Sequence, residues 1–463
     1  MFSMSQLSEN PYRIVRLEKD AQLPFVVDNA EAISGLTLES LHTGGRLFFA
    51  DFLDQKYQPK SAGKYSAACQ AYFFIHPGSE DFLPLAIKSN TEGADLIYTP
   101  KDEANDWLLA KMMFNQNNLW YAQWYHLAGT HVVSEIVYLS AIRTLSEDHP
   151  IMSILHRCTC SSLPHLSYFT LTPTTVMKDA WAFRVIAIQR LTYAGGPVDQ
   201  LFPWAGSQAS NYTDALYHSG EAGAFQDNYF IQNLEKRGLV NSIFGPKLKH
   251  FPFYEDASVI HTEIRNFMTA LVNSYYITPD MIVQDTELQA WISEAVPAQI
   301  IDFPSAPLKD AETLIDILTH IAHLVSVAHG TLNTNAPVAS SGSLPFHPLA
   351  FYSPLPISKG VTDIMKYMPQ VQASVGQIIL LAAFNRPTFV DSNETIVHMF
   401  DDQEMLTRMN KKTKKAEGVF RSKMREFSEE VRRRDFNEMG LSKGMPYLWT
   451  ALDPGTASYW LTI

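Results

Sequence analysis

The sequence predicts a mainly α protein, built as a single large helical domain with minor β-structure near the N-terminus. Three observations carry this reading. Residues 106–150 are apolar at helical spacing, and no proline interrupts them before the last position. Short β-branched and aromatic runs flanked by turn residues are confined to the first hundred residues. No Gly/Ser-rich or Pro-rich linker divides the helical part and no internal repeat is visible, so 463 residues, a length that allows about three domains, read as one.

Residues 1–45 are set apart as an N-terminal extension to the main domain, 46–463. In that domain, residues 46–50 (RLFFA) and 70–75 (QAYFFI) read as short strands, because Pro and Gly clusters follow each aromatic run. Residues 106–150 read as one or two long helices, apolar nearly all round and therefore buried. Residues 158–175 (CTCSSLPHLSYFTLTPTT) show no period and read as a loop or insert, and residues 193–223 read as loop-rich. Helical spacing returns at 261–276, 312–332 and 367–384. In 401–434, Lys411, Lys412, Lys414, Lys415 and Arg432 to Arg434 alternate with Glu417, Glu426, Glu429 and Glu430, the pattern of a solvated helix face laced with opposite charges.

Composition excludes several functions. With 46% apolar and 18% charged residues the chain can build a core and is not disordered. Its longest apolar runs, such as 378–384, fall far short of the ~20 residues of a membrane helix, so no integral membrane segment is expected; transient contact with a membrane surface stays open. Against 48 acidic residues stand 36 basic ones, a net charge of −12, which argues against nucleic acid as a partner. Cys69, Cys158 and Cys160 form no disulfide framework. The N-terminus lacks the apolar core of a signal peptide, which points to the cytoplasm, or to secretion if a leader precedes Met1; the sequons at Asn211 and Asn393 matter only in the second case.

The familiar GxGxxG, GxxxxGK, GxSxG and HExxH signatures are absent, and what remains is histidine. His329 and Asn333 are four residues apart, about 40° on an α-helix, and share a face. His126 and His131 are five apart, about 140°, and can meet one metal only where the helix widens locally to i→i+5 bonding, a distortion that Gly129 makes easier. Three neutral imidazoles and an amide oxygen without a thiolate suit iron or manganese better than structural zinc, and call for a further anionic ligand. Taken alone, an HxxxxH spacing is more often that of two unrelated core or surface histidines, and a lone HxxxN is a weaker signal still.

Together these segments resemble the lipoxygenase family, most of all its fungal iron and manganese members. The resemblance rests on Asp106-Trp-Leu-Leu-Ala-Lys111, Trp124-Tyr-His126-Leu-Ala-Gly-Thr-His131, Arg143-Thr-Leu-Ser-Glu-Asp-His149-Pro150 and His329-Gly-Thr-Leu-Asn333. It continues through Leu344-Pro-Phe-His347-Pro, Phe384-Asn-Arg-Pro387, His398-Met-Phe-Asp-Asp402 and Leu461-Thr-Ile463. It implies a lipoxygenase-type catalytic domain over 46–463 with no N-terminal β-barrel domain. It also implies one non-haem iron or manganese ion held by His126, His131, His329, Asn333 and the α-carboxylate of Ile463, with no catalytic side chain besides the metal and its bound solvent.

The implied reaction is hydrogen abstraction from a bis-allylic carbon of a polyunsaturated fatty acid, of the linoleic or linolenic type, and trapping of the radical by O2 to give a hydroperoxide. Gln123 would orient a ligand or the solvent molecule, or serve only in packing. Ala187 would bias where oxygen attacks and Leu191 would clamp the methylene, unless both are ordinary core aliphatics. Arg184 and Arg386 are candidate tethers for the substrate carboxylate. His149, His156, His320 and His323 read as packing or helix-end residues. The sequence departs from the family in the extra residues between His156 and Met177, and at Ala336, where an amide is common in relatives; Asn335 is the possible stand-in. A monomer is expected. The alternatives are a relative that converts hydroperoxides or another polyene without net oxygenation, and an inactive homologue that binds metal or lipid.

Overall fold

A computed structural model describes residues 1–91, 93–160, 192–296, 298, 300–333, 347–384 and 388–461. The β-structure is a five-stranded antiparallel meander: β1 (Val15–Arg16), β2 (Leu47–Asp51), β3 (Ala68–Ile75), β4 (Phe82–Asn90) and β5 (Asp95–Tyr98) lie side by side in chain order. The expected strands at 46–50 and 70–75 are β2 and β3, paired with Leu47 opposite Phe74 and Phe49 opposite Tyr72. β3 is buried along its whole length because the sheet is covered on both faces. Cys69, Ala71, Phe73 and Ile75 enter the main core, while Tyr72 and Phe74 enter a smaller one completed by Phe25, Val27, Leu38 and Leu41. Strand geometry sends alternate side chains to opposite faces, so both must be apolar here. The first 45 residues thus cover the outer face, and Met4, Leu7 and Ile14 reach the main core.

The central element is a nearly continuous helical rod. It comprises α1 (Ala104–His126), a π-helical turn (Leu127–Val132) and α2 (Val133–Thr144). After a short break, α3 (Pro150–Cys160) follows, so the first three residues of the segment expected to be a loop or insert are helical; the remainder, 161–175, lies outside the described residues. As expected, α1 is buried nearly all round. Trp120 alone packs on Trp124, Phe202 and Trp204 at centroid distances of 5.0–5.3 Å. Burial extends to polar residues, each of which needs a partner. Asn117 Nδ2 donates to Gln55 Oε1 and to the Ala67 carbonyl, both at 2.8 Å, while its Oδ1 accepts from the Cys69 amide at 2.9 Å. That one side chain ties α1 to β3.

The region 193–223 holds more helix than expected. Pro197–Leu201 is a short helix and α4 (Ala209–His218) a longer one, burying Ala209, Tyr212, Thr213, Leu216 and Tyr217. Those positions follow i, i+3, i+4, i+7, i+8; Gly and Pro punctuation upstream obscured the period. α5 (Phe230–Lys236) comes next, then α6 (Pro252–Tyr275), which starts nine residues before the expected 261–276, with Pro252 in its first turn. α7 (Thr286–Ala295) packs on α2, and α8 (Ala311–His323) on α6. α8 continues through a second π-turn (Leu324–Ala328) into α9 (His329–Asn333). The combined Ala311–Asn333 is long and apolar enough to cross a membrane by length and composition, yet 78% of its apolar window is buried inside the fold.

α10 (Val371–Phe384) occupies most of the expected 367–384. The charged segment 401–434 forms two helices, Gln403–Arg408 and α11 (Lys411–Arg432), because the Asn410 side chain caps α11 by accepting from the Lys412 and Thr413 amides. α11 lays Phe420, Met424, Phe427 and Val431 on the core and pairs its outer charges, as in Lys423–Glu426 and Arg433–Glu429.

Asp285 joins three elements. It caps α7 through the Leu288 amide at 3.0 Å and accepts from Tyr276 Oη at 2.6 Å and His149 Nε2 at 3.1 Å. Although burial opposes ionisation, these bonds hold its carboxyl down at about 2. A carboxylate with a depressed folded pKa stabilises above its unfolded value and loses that contribution as pH falls through the folded one. Asp285→Ala is therefore expected to cost about 1–3 kcal/mol at neutral pH. Urea midpoints measured across the acid range should show the gap to wild type closing between about pH 4 and pH 2; a gap independent of pH would exclude the charged contribution.

Candidate metal centre

His126 ends α1, His131 lies in the π-turn after it, and His329 begins α9 just after the second π-turn. The two π-turns pack against each other, and α9 packs on α1. With i→i+5 bonding, five residues make about one turn, so His126 and His131 face the same way instead of lying about 140° apart. One donor nitrogen from each of His126, His131 and His329 falls within 4.8 Å of the others. The ring centroids are 4.9–5.3 Å apart. Nitrogens at about 2.1 Å from a shared ion lie at most about 4.2 Å apart, so a small inward shift completes a coordination geometry. Asn333, on the helix of His329, is 3% exposed; His126, His131 and His329 are 4%, 7% and 1% exposed.

Local hydrogen bonds prepare these donors. The Gln123 carbonyl lies 2.7 Å from His126 Nδ1, and a carbonyl only accepts, so the proton resides on Nδ1 and the Nε2 lone pair is free to bind a cation. Burial pushes His126 down to about 4, against that bond; burial and then the neighbouring His126 push His131 well below the ordinary histidine value. Both rings are therefore neutral at pH 7. Their Nε2 atoms are buried with no hydrogen-bond partner, which costs on the order of 1–3 kcal/mol each unless something accepts the lone pair. A divalent ion would do so, and the all-nitrogen and amide donor set without thiolate fits iron or manganese.

Hydroxyls accompany both π-turns. Thr130 Oγ1 donates to the His126 carbonyl at 2.6 Å, Ser326 Oγ to Ala322 at 2.6 Å, and Thr331 Oγ1 to Val327 at 2.7 Å. Where bonding widens to i+5, a carbonyl loses its usual i+4 amide, and a hydroxyl at that position replaces it. Gly129 admits a close neighbour: a Cβ there would sit 3.3 Å from the Ala222 carbonyl oxygen.

The lipoxygenase family profile matches residues 30–439. The chain belongs to the lipoxygenase family. It is 43% identical to a manganese lipoxygenase of Colletotrichum gloeosporioides and 44% identical to one of Fusarium oxysporum, each over 468 residues; the whole of this chain is matched, and 74% and 73% of those proteins. A solved manganese lipoxygenase structure superposes with a TM-score of 0.92 at 40% identity, covering all of this chain and 79% of that one. This lipoxygenase is thus a dioxygenase with the family's catalytic-domain fold, its own small sheet being a meander and not a barrel.

The structure brings His126, His131, His329 and Asn333 into this one buried region. Gln123 contributes its backbone carbonyl, and its side chain is buried. Ala187, Leu191, Arg184, Arg386, Asn335, Ala336 and Ile463 lie outside the described residues. The other histidines pack as expected. His320 stands against Phe225 and Tyr229, His323 against Phe230, His156 bonds Tyr138, and His149 meets Asp285. Missed in the sequence were the second π-turn and its hydroxyls; Ser326 and Thr331, within three residues of His329, were the available signal.

Replacing Thr130 by Val keeps the shape and removes the hydroxyl from the His126 carbonyl. Stability should fall by about 1 kcal/mol, and metal retained per folded molecule should fall several-fold by mass spectrometry. Unchanged metal content would show that the hydroxyl does not maintain the turn.

Proposed function

We propose that this lipoxygenase oxygenates a polyunsaturated fatty acid of the linoleic or linolenic type at a bis-allylic carbon, giving a conjugated hydroperoxide, with a single manganese ion in preference to iron. The convergence of three buried imidazoles on one point carries this reading. Manganese is favoured because the similar fungal proteins are manganese lipoxygenases. When bound, the ion supplies the one-electron couple that removes a hydrogen atom from the substrate.

The residues of the chain do the remaining work. His126, His131, His329 and Asn333 fix the ion, and the proposed α-carboxylate of Ile463 adds the anionic ligand. The Gln123 carbonyl holds the His126 tautomer. Burial of His126, His131, His329 and Asn333 excludes bulk water, which protects a carbon radical from side reactions. Ala187, Leu191, Arg184 and Arg386 are proposed to position the acyl chain.

Metal analysis of the purified protein should give about one manganese per chain, and linoleic acid under oxygen should develop conjugated-diene absorbance. Folded, metal-loaded protein that produces no diene would overturn the oxygenase reading. His131→Ala should lose most bound metal and at least about a hundredfold in rate while its circular dichroism is retained. A peptide tag fused after Ile463 should likewise abolish metal retention; full metal in the tagged protein would remove the carboxylate from the ligand set.

A further inference from the structure

The end of the chain is pinned residue by residue. Asp453 anchors its start: buried, it accepts from Arg432 Nε of α11 at 3.0 Å and from the Gly455 amide at 2.8 Å. From there the segment runs against residues 394–397. The Val397 amide donates to the Pro454 carbonyl at 3.1 Å and the Ile396 amide to the Ala457 carbonyl at 2.8 Å. Thr395 bridges Ser458 in antiparallel register, and the Tyr459 amide donates to the Glu394 carbonyl at 3.3 Å. The Tyr459 side chain is 2% exposed.

Arg157 holds the same segment from α3, which packs on α2, the continuation of the rod that carries His126 and His131. Its guanidinium carbon lies 4.4 Å from the centroid of the Tyr459 ring. Its edge donates Nε to the Met399 carbonyl at 3.1 Å and Nη2 to the His398 carbonyl at 3.0 Å. One planar group thus grips the stretch 398–399 with its fork and Tyr459 with its face, a combination that arginine offers and lysine does not. The half-exposed Asp402, 3.8 Å from Nη1, adds little, because surface pairs are weak. Only four residues follow Tyr459, a reach of at most about 14 Å. A slip of one residue would move the terminal carboxylate by about 3.3 Å, more than a metal–oxygen bond of about 2 Å tolerates.

We propose that Arg157 is a positioning residue for the metal centre: by clamping Tyr459 against residues 398–399 it fixes the register of the chain end and so presents the α-carboxylate of Ile463 to the ion. This rests on the carboxylate ligand proposed above. It assigns the holding of that ligand to a side chain more than three hundred residues away in sequence, on the helix that extends the histidine-bearing rod.

The test follows manganese release from the loaded full chain to excess chelator, by mass spectrometry of the desalted protein, so no turnover is involved. Arg157→Leu should speed release about tenfold. Arg157→Lys, which keeps the charge but neither the flat face nor the fork, should speed it nearly as much, whereas Tyr459→Phe keeps a ring under the guanidinium and should release like wild type. The deciding comparison is made in a chain lacking Ile463. That deletion alone should speed release, and adding Arg157→Leu to it should have no further effect, because the ligand that Arg157 positions is already gone. Equal acceleration in both backgrounds would mean a general loosening of α3 and would overturn the proposal, as would wild-type release from Arg157→Lys. Unchanged release on deleting Ile463 would remove the carboxylate ligand and this proposal with it. If Arg157→Leu does not fold, Arg157→Lys carries the same cycle.

Discussion

Everything in this fold that bears on chemistry depends on widening two buried helices by one residue each. A regular α-helix would point His126 and His131 to different sides of the rod, and only one of them could reach His329. The π-turns at Leu127–Val132 and Leu324–Ala328 rotate the histidine-bearing positions onto a common point and pack against each other while doing so. Widened bonding is rare because its geometry is poorer. Here the surroundings over-determine it: hydroxyls of Thr130, Ser326 and Thr331 satisfy neighbouring carbonyls, and Gly129 lets the Ala222 backbone close in.

The same packing sets the electrostatics. Burial keeps His126 and His131 neutral, so the centre presents lone pairs and not protons. That cost is borne by a rod that is apolar on nearly every side and is pinned to the sheet by Asn117. The meander covered on both faces, the aromatic group around Trp120 and the antiparallel pairs α6–α8 and α6–α11 leave the rod little freedom to relax back to regular helix.

Much of this was legible in the sequence. The spacing of five between His126 and His131 demanded a local widening, and it is there. The apolar pattern of 106–150 announced a buried rod, and the alternating charges of 411–434 a solvated face. Where the reading failed, a competing local signal was stronger than the period. Gly and Pro before 209 hid the amphipathic helix Ala209–His218, and Asn410, a strong cap inside a charged run, divided one expected helix into two.

The sequence by itself determined the candidate ligand types, their spacing and the family, because imidazole chemistry and helical period are local properties. Only the tertiary structure decided that His329 would meet the other two, that His320 and His323 would turn toward aromatic rings, and that Gln123 would act through its carbonyl. A second π-turn separates those histidines from His329. Whether a helix takes that extra residue depends on what packs against it, and no pattern in the helix alone encodes its neighbours.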